Sequence, residues 1–189
     1  EKAIDIKTLR AQTGLITYDP GYKNTGSCKS EITYLNGEEG ILHHRGYSIE
    51  ELCSKASFLE VAFLLIFGDM PTKKELGLLN DEIRKDSLVD EDIKLILKSF
   101  PKSAHPMGIL ASLTSGLIAF NPSTVNIKSE KSMREAIIML MAKFPILCSW
   151  THRKVKGLPL NYANTSLSYV ENIAHMPVSY THLRAHETN

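Results

Sequence analysis

Two histidines near the carboxyl end come closest to the spacing of a metal site. His182 and His186 lie four residues apart, which on a helix would place both imidazoles on one face. A zinc enzyme also needs a third ligand and a general base, and no glutamate stands beside His182. We therefore predict no metal site in this chain.

A second group combines two imidazoles with a guanidinium in the run His43-His44-Arg45. Such groups bind carboxylates and phosphates through charge-assisted hydrogen bonds. The run ends a stretch of β-favouring residues, however, and adjacent side chains of a strand point to opposite faces. We expect His43 and His44 not to converge. We expect Arg45, which precedes Gly46, to fix a turn by bonding carbonyls or a carboxylate.

Two more cationic positions lie at predicted helix ends. His105 stands just before Pro106, where an imidazole can cap the helix, bind an anion or pack, and we favour capping or packing. The run His152-Arg153-Lys154-Val155-Lys156 follows an apolar helix. It could meet a nucleotide phosphate, but a solvated helix end that complements the helix dipole is the favoured interpretation.

Other catalytic patterns are absent from the sequence. There is no glycine-rich phosphate loop and no Gly-x-Ser-x-Gly nucleophile elbow. Three widely spaced cysteines argue against a disulfide framework and a cysteine zinc site, and indicate idle thiols in a reducing compartment: Cys28, Cys53 and Cys148. We predict no catalytic, cofactor-binding or metal-binding residue in this chain.

Composition and charge exclude several classes of protein. The chain is 43% hydrophobic and 23% charged, as in ordinary globular proteins. Its 22 Lys and Arg nearly balance 21 Asp and Glu, which gives no reason to expect nucleic acid or a membrane as partner. The longest apolar run, Phe58 to Phe67, is about half the ~20 residues of a membrane helix. No secretion signal is evident, so we expect a cytoplasmic protein.

The elements that would position these groups begin with a β-hairpin and continue as helices. Asn36-Gly37 predicts a two-residue type I′ turn. Asp90 should cap a helix that ends at Phe100. Three further helix starts are predicted by capping boxes, in which a hydroxyl and a carboxylate three residues later satisfy each other's backbone amides: Ser48-x-x-Glu51, Ser57-x-x-Glu60 and Thr72-x-x-Glu75.

Later helices follow from apolar residues at helical spacing. One should begin at Pro106 and end at Asn121-Pro122. Another should run from Ser129 to about Trp150, kinked or divided by Pro145. A last helix is predicted from Ser166 to Ala174.

Several segments together resemble one enzyme family. The stretch from Glu39 to Leu52 resembles a segment near the start of citrate synthases, in particular the longer bacterial form. Other segments match in the same order along the chain: Asp19 to Tyr22, Ser27 to Tyr34, Phe58 to Ala62, Gly68 to Thr72, and His105 to Met107. The resemblance implies a mainly α fold, a citrate synthase-like helical body with a small amino-terminal β-hairpin segment. We predict a β-containing segment at 1–47, an incomplete helical domain at 48–176, and a foreign or disordered tail at 177–189.

The resemblance also implies an activity. Citrate synthases are acyltransferases that condense acetyl-CoA with oxaloacetate to citrate in the tricarboxylic acid cycle, and they work as homodimers or assemblies of dimers. The family's catalytic histidines and aspartate fall in later motifs that do not occur here, so the resemblance assigns no catalytic residue. His175 precedes those motifs and is not one of them. We expect this chain alone neither to condense the substrates nor to bind coenzyme A.

Two alternatives and one regulatory question stay open at this stage. Methylcitrate synthase shares the fold and takes propionyl-CoA instead. A noncatalytic helical assembly module would use its apolar helices as an interface. Some relatives carry an Arg-His-Thr run in an allosteric NADH site, whereas this chain has Arg84-Lys85-Asp86, which puts NADH control in doubt.

Overall fold

The computed structural model describes residues 3–26 and 28–178. The chain divides into two compact units, an amino-terminal unit (Glu1–Lys55) and a helical unit (Ala56–Asn189). Within the described residues, no helix is both long and apolar enough to cross a membrane. The division predicted from the sequence at residues 47 and 176 stays a prediction. The histidine pair at 182 and 186 lies outside the described residues.

The amino-terminal unit is built on a small antiparallel sheet of three strands, each hydrogen-bonded to the next in chain order. Its elements, with a 3-10 turn at Pro20–Tyr22, are α1 (Leu9–Thr13), β1 (Thr33–Asn36), β2 (Ile41–His44), β3 (Tyr47–Ser48) and α2 (Ile49–Lys55).

The first hairpin turn differs from the predicted type I′ turn at Asn36-Gly37. Asn36 is the last residue of β1 and pairs with Ile41, so the connection has four residues, and its positive φ falls at Gly40 (68°). The Asn36 side-chain oxygen accepts hydrogen bonds from the amides of Glu38 and Glu39, each at 3.2 Å. The two-residue prediction was wrong because this side chain folds back onto the longer loop.

The second hairpin turn has the two-residue geometry instead. His44 pairs with Tyr47, and the two residues between them, Arg45 (φ 50°) and Gly46 (φ 89°), both have positive φ. A type I′ turn requires this backbone, which matches the twist of the flanking strands. The Arg45 amide donates to the Ile32 carbonyl at 2.8 Å, so this residue helps to fix the turn through its own backbone.

The helical unit contains six described α-helices and a short 3-10 turn (Pro122–Thr124). The helices are α3 (Phe58–Phe67), α4 (Lys73–Lys85), α5 (Glu91–Ser99), α6 (Pro106–Phe120), α7 (Glu130–Lys156) and α8 (Tyr169–His175). The predicted mainly α fold with a small β segment is confirmed.

Capping explains where these helices begin. The predicted boxes at Ser57 and Thr72 are complete, with the hydroxyl accepting from the third residue's amide and the glutamate bonding back. At Ser48 the hydroxyl accepts from the Glu51 amide at 3.2 Å, while the Glu51 carboxylate pairs with Lys55 at 3.1 Å. Asp90 caps α5 as predicted.

The final helix begins later than predicted, at Tyr169 rather than Ser166. Ser168 and Glu171 form a complete capping box that the sequence analysis did not include. Ser166 lies outside the helix because its amide and hydroxyl both donate to the Asn164 side chain, at 3.0 and 2.6 Å. That local turn competes with the helix for the backbone groups.

The core lies on both sides of α7. One cluster joins α5, α6, α7 and Met176, and its buried side chains are Ile93, Leu97, Ile109, Leu113, Leu117, Met139, Ile146, Leu147, Trp150 and Met176. A second joins α3, α4 and α7, with Leu59, Leu79, Ile83, Ile138 and Ala142. Because α7 contributes to both clusters, it is the central helix of this unit.

Pro145 lies inside α7 without dividing it, contrary to one form of the prediction. A proline in a helix cannot donate to the carbonyl four residues earlier, here that of Met141. The Tyr169 hydroxyl donates to this carbonyl at 2.9 Å, and the Tyr169 ring stacks on Phe58 at 5.5 Å between centroids. The first turn of α8 therefore satisfies the backbone acceptor that Pro145 leaves open.

Candidate functional site

The histidines of β2 do not form a joint site. The His43 ring lies 6.0 Å from the Tyr34 ring, whereas His44 Nδ1 lies 3.2 Å from the Thr33 hydroxyl. Since Thr33 and Tyr34 are neighbours in β1, their side chains lie on opposite faces of the sheet. The predicted separation of the two imidazoles is confirmed.

His105 is a capping residue, which confirms the favoured interpretation. Its Nδ1 accepts a hydrogen bond from the Met107 amide at 3.2 Å and closes the first turn of α6. Pro106 occupies the first helical position, where its missing amide hydrogen costs least.

The basic run at the end of α7 separates into side chains with different environments. Arg153 is only 3% exposed and donates to the carbonyls of Pro159 and Pro177, so it binds the following loop. Lys154 donates to the Lys98 carbonyl at 3.1 Å. His152 and Lys156 are exposed. The prediction of a solvated helix end was wrong for Arg153, because the chain folds back over it after Gly157.

Two ion pairs join α4 and its C-cap residue Asp86 to α7, and the sequence analysis missed both. Lys143 is 5% exposed, and its ammonium donates to the Asp86 carboxylate at 2.5 Å and to the Asp86 backbone carbonyl at 2.8 Å. Arg134 bonds Glu82 at 2.5 Å and lies over the Phe67 ring. A lysine within an otherwise apolar helical run is the sequence signal for a buried pair, because such a charge needs a partner.

A third polar group surrounds Lys94. Its ammonium bonds Glu91 at 2.5 Å and the Tyr162 hydroxyl, and it lies 5.3 Å from the centre of the Trp150 ring. The Trp150 indole donates to the Asn161 carbonyl at 2.7 Å. The bonds to Glu91 and then to Tyr162 raise the pKa of Lys94, so it stays cationic and binds the 157–168 loop to α5 and α7.

The clear pKa shifts among the described residues all run away from neutrality. Serine or threonine hydroxyls, and then backbone amides, lower the pKa of the capping carboxylates of Glu60, Glu75 and Glu171. Burial raises the pKa of the Cys148 thiol. Burial, with Cys148 second, raises the pKa of Tyr169. Enzymes tune a carboxyl or an amine for general acid–base catalysis by moving its pKa toward the working pH, and the pKa of each of these shifted groups moves the other way.

Two predictions concern metal and nucleotide binding. Within the described residues, no cluster of three His, Cys, Asp or Glu side chains could hold a metal ion. In the run Arg84-Lys85-Asp86, which was predicted to depart from the NADH-site pattern, Arg84 donates to the Leu167 carbonyl at 3.4 Å and Asp86 binds Lys143. Whether NADH binds stays a prediction. His175 is the last residue of α8.

Comparison with known proteins decides the family. The family model described as "Citrate synthase, C-terminal domain" matches residues 21–187. The chain belongs to the citrate synthase family. It is 46% identical over 172 residues to a citrate synthase of Corynebacterium glutamicum, and 40% identical over 185 residues to one of Dictyostelium discoideum. These matches cover 91% and 93% of the chain but only 39% and 36% of the relatives.

Solved structures of citrate synthases share the fold. The enzyme of Thermotoga maritima superposes with a TM-score of 0.71 at 29% identity, covering 85% of this chain and 41% of that one. The enzyme of Pyrobaculum aerophilum superposes with a TM-score of 0.75 at 25% identity, covering 94% and 46%. The chain therefore spans less than half the length of the relatives it matches.

Proposed function

We propose that this chain is the amino-terminal part of an acyltransferase that condenses acetyl-CoA with oxaloacetate to citrate, in the tricarboxylic acid cycle. The observation that carries the proposal is the 46% and 40% identity to two citrate synthases over more than nine tenths of the chain. A likeness to a loosely related enzyme would not extend through nearly every element of both units.

The role of this part is structural within the proposed enzyme. The core on both sides of α7 and the polar bonds of Lys94, Lys143 and Arg153 give a rigid helical body. Catalytic groups need rigid support to hold productive geometry. The catalytic motifs of the family do not occur in this sequence, which supports the proposal that the acid–base groups belong to later motifs. The 189-residue chain alone should therefore be inactive and bind neither substrate.

The proposal extends to assembly and location. Like the family it belongs to, the parent enzyme should form a homodimer or an assembly of dimers, and it should work in the cytoplasm. Scattered cysteines in place of a disulfide framework support a reducing compartment.

The test compares two proteins from one locus. The 189-residue chain and the full reading frame that continues past Met176 are purified, and release of the free CoA thiol is measured with oxaloacetate and acetyl-CoA. We expect turnover by the longer protein alone. Faster turnover with propionyl-CoA would make the enzyme a methylcitrate synthase. A frame that stops at Asn189, without the histidine and aspartate motifs, would replace the enzyme by a noncatalytic helical module.

A further inference from the structure

The near-zero net charge conceals a strong separation of charge along the chain. No aspartate or glutamate occurs in 93–129 or in 136–170, although these two stretches carry eight of the 22 Lys and Arg. The remaining 14 cations share the rest of the chain with all 21 acidic residues. Charge balance over the whole chain therefore says nothing about the field at one surface.

The fold gathers four of these eight cations at one place. Lys98 lies in the last turn of α5, Lys154 and Lys156 lie in the last turn of α7, and Lys102 lies in the link before α6. The Lys154 ammonium reaches the Lys98 carbonyl at 3.1 Å, and the Lys102 ammonium lies 3.6 Å from the position that a Cβ on Gly157 would take. We call these four lysines the basic end.

The basic end differs from the two buried lysines of the same stretches. Lys94 and Lys143 are paired with Glu91 and Asp86, which come from outside the acid-free stretches. No ion pair among the described residues involves a lysine of the basic end. The exposed His152 lies on the same last turns of α7.

The partial negative charges at helix carboxyl ends are too small to balance the four lysines of the basic end. A helix carboxyl end carries about half a negative charge, so the ends of α5 and α7 together offset roughly one lysine of the four. The amino end of α6 adds a partial positive charge at the same place. About three positive charges are left without a counterpart in the described part of the chain, enough to steer and hold an anionic partner at moderate ionic strength.

The apolar side chains beside the basic end favour a protein as that partner. Met107, in the first turn of α6, is 62% exposed, and Leu158, directly after Gly157, is 43% exposed. Nucleic acid presents rows of phosphates, which these apolar side chains would not complement. Binding to a lipid surface takes a whole apolar helix face, and two separate side chains do not form one. A protein segment can offer carboxylates around an apolar side chain, which is the usual anatomy of a docking site with a polar rim.

We propose that the basic end is a docking surface for an acidic segment of a partner protein, whose carboxylates face Lys98, Lys102, Lys154 and Lys156 and whose apolar side chain covers Met107 or Leu158. This inference goes beyond the proposed function, which assigns no role in catalysis or substrate binding to a residue of this chain.

The test measures binding of a fluorescein-labelled peptide, glutamates flanking a central leucine, to the 189-residue chain by fluorescence anisotropy at low and moderate salt. The variant K98Q/K102Q/K154Q/K156Q should bind about tenfold more weakly or worse, and salt should weaken the wild-type complex. The matched control K23Q/K29Q/K73Q/K74Q removes the same charge from exposed lysines elsewhere and should stay within about twofold of wild type.

A charge-preserving variant separates binding from folding. With arginine at the same four positions, peptide binding should be retained, and thermal unfolding should be alike in all variants. Equal loss of binding in the glutamine variant and its matched control would overturn the docking surface. Tighter binding of a DNA duplex or of vesicles rich in phosphatidylserine than of the peptide would overturn the choice of a protein partner.

Discussion

In the described part of the amino-terminal unit, Leu52 is the one buried side chain, whereas the helical unit buries two clusters around α7. Large apolar side chains of the first unit are mostly in solvent, including Ile4 (89% exposed), Ile16 (75%) and Tyr18 (90%). The first unit is ordered mainly by turns and by ladder hydrogen bonds, and the second by packing. Local bonds can define a backbone path without supplying the burial that makes it resistant to opening.

Proteolysis should show the largest difference between the units. Trypsin should cut at Arg10, Lys23 or Lys29 at least about tenfold faster than anywhere in the helical unit, because exposed backbone without a core opens easily. Mass spectrometry of timed digests gives the order of cleavage. Lys73 and Lys74 are the matched control for Lys23 and Lys29, since they are also exposed but lie in a helix. Cleavage at Lys73 or Lys74 before any site in the amino-terminal unit would contradict the proposed difference between the two units.

Apolar truncations should differ by several kcal/mol. Leu113→Ala removes a side chain with no exposed surface from the larger cluster and should cost about 3 kcal/mol of the free energy of unfolding. Ile16→Ala, at 75% exposure, should cost less than about 0.5 kcal/mol. Urea unfolding followed by circular dichroism measures both. Similar costs would mean that Ile16 is packed in solution.

The buried ion pair gives the next largest effect. Asp86→Ala leaves the Lys143 ammonium with the residue 86 carbonyl alone and should cost about 2 kcal/mol, because a charge loses its counter-ion at a site that is 5% exposed. Lys143→Met removes the buried charge itself and should cost less. The same urea experiment ranks them, and a larger loss in Lys143→Met would contradict the account.

The bond between Tyr169 and the Met141 carbonyl allows a double-mutant cycle. Tyr169→Phe should cost about 1 kcal/mol in the wild type, because the acceptor opened by Pro145 loses its donor. In Pro145→Ala, the new backbone amide can donate to Met141, so Tyr169→Phe should cost clearly less. Equal costs in both backgrounds would show that the hydroxyl does not compensate for the proline.

The smallest of the predicted effects on stability is the loss, in acid, of the hydrogen bonds made by the capping glutamates. The folded-state pKa values of Glu60, Glu75 and Glu171 are lowered from the ordinary 4.5, so their capping bonds stabilise the fold above that pH, and the contribution is lost as pH falls through the folded pKa. Urea midpoints at about pH 6 and about pH 3.5 should fall less in the triple Glu→Gln variant than in the wild type. An equal fall of the urea midpoint in both proteins would show that these carboxylates are not the source of the acid sensitivity.

Prediction from the sequence succeeded where the relevant contacts are local. The boxes at Ser57 and Thr72 involve residues three apart, and so does the box at Ser168, which the same rule could have found. The prediction of the hairpin turn at Asn36 was wrong although the turn is local. Asn36 could either occupy a two-residue turn or accept hydrogen bonds from the amides of a longer loop, and it does the second.

The polar contacts of the helical unit could not be predicted from the sequence, for a different reason. Lys94 meets a tyrosine 68 residues away, and Lys143 an aspartate 57 residues away. Helical periodicity predicts which face of a helix is buried but not which distant group lies opposite. Arg153 illustrates the same limit, because its burial depends on a loop that follows it.

The proline in α7 has a consequence for the order of events during synthesis. Met141 and Pro145 leave the ribosome before Tyr169, whose hydroxyl is 28 residues further on. Until then only water can hydrogen-bond to the Met141 carbonyl that Pro145 leaves open. The hydrogen bonding of the longest described helix is thus completed by a side chain that the cell makes later.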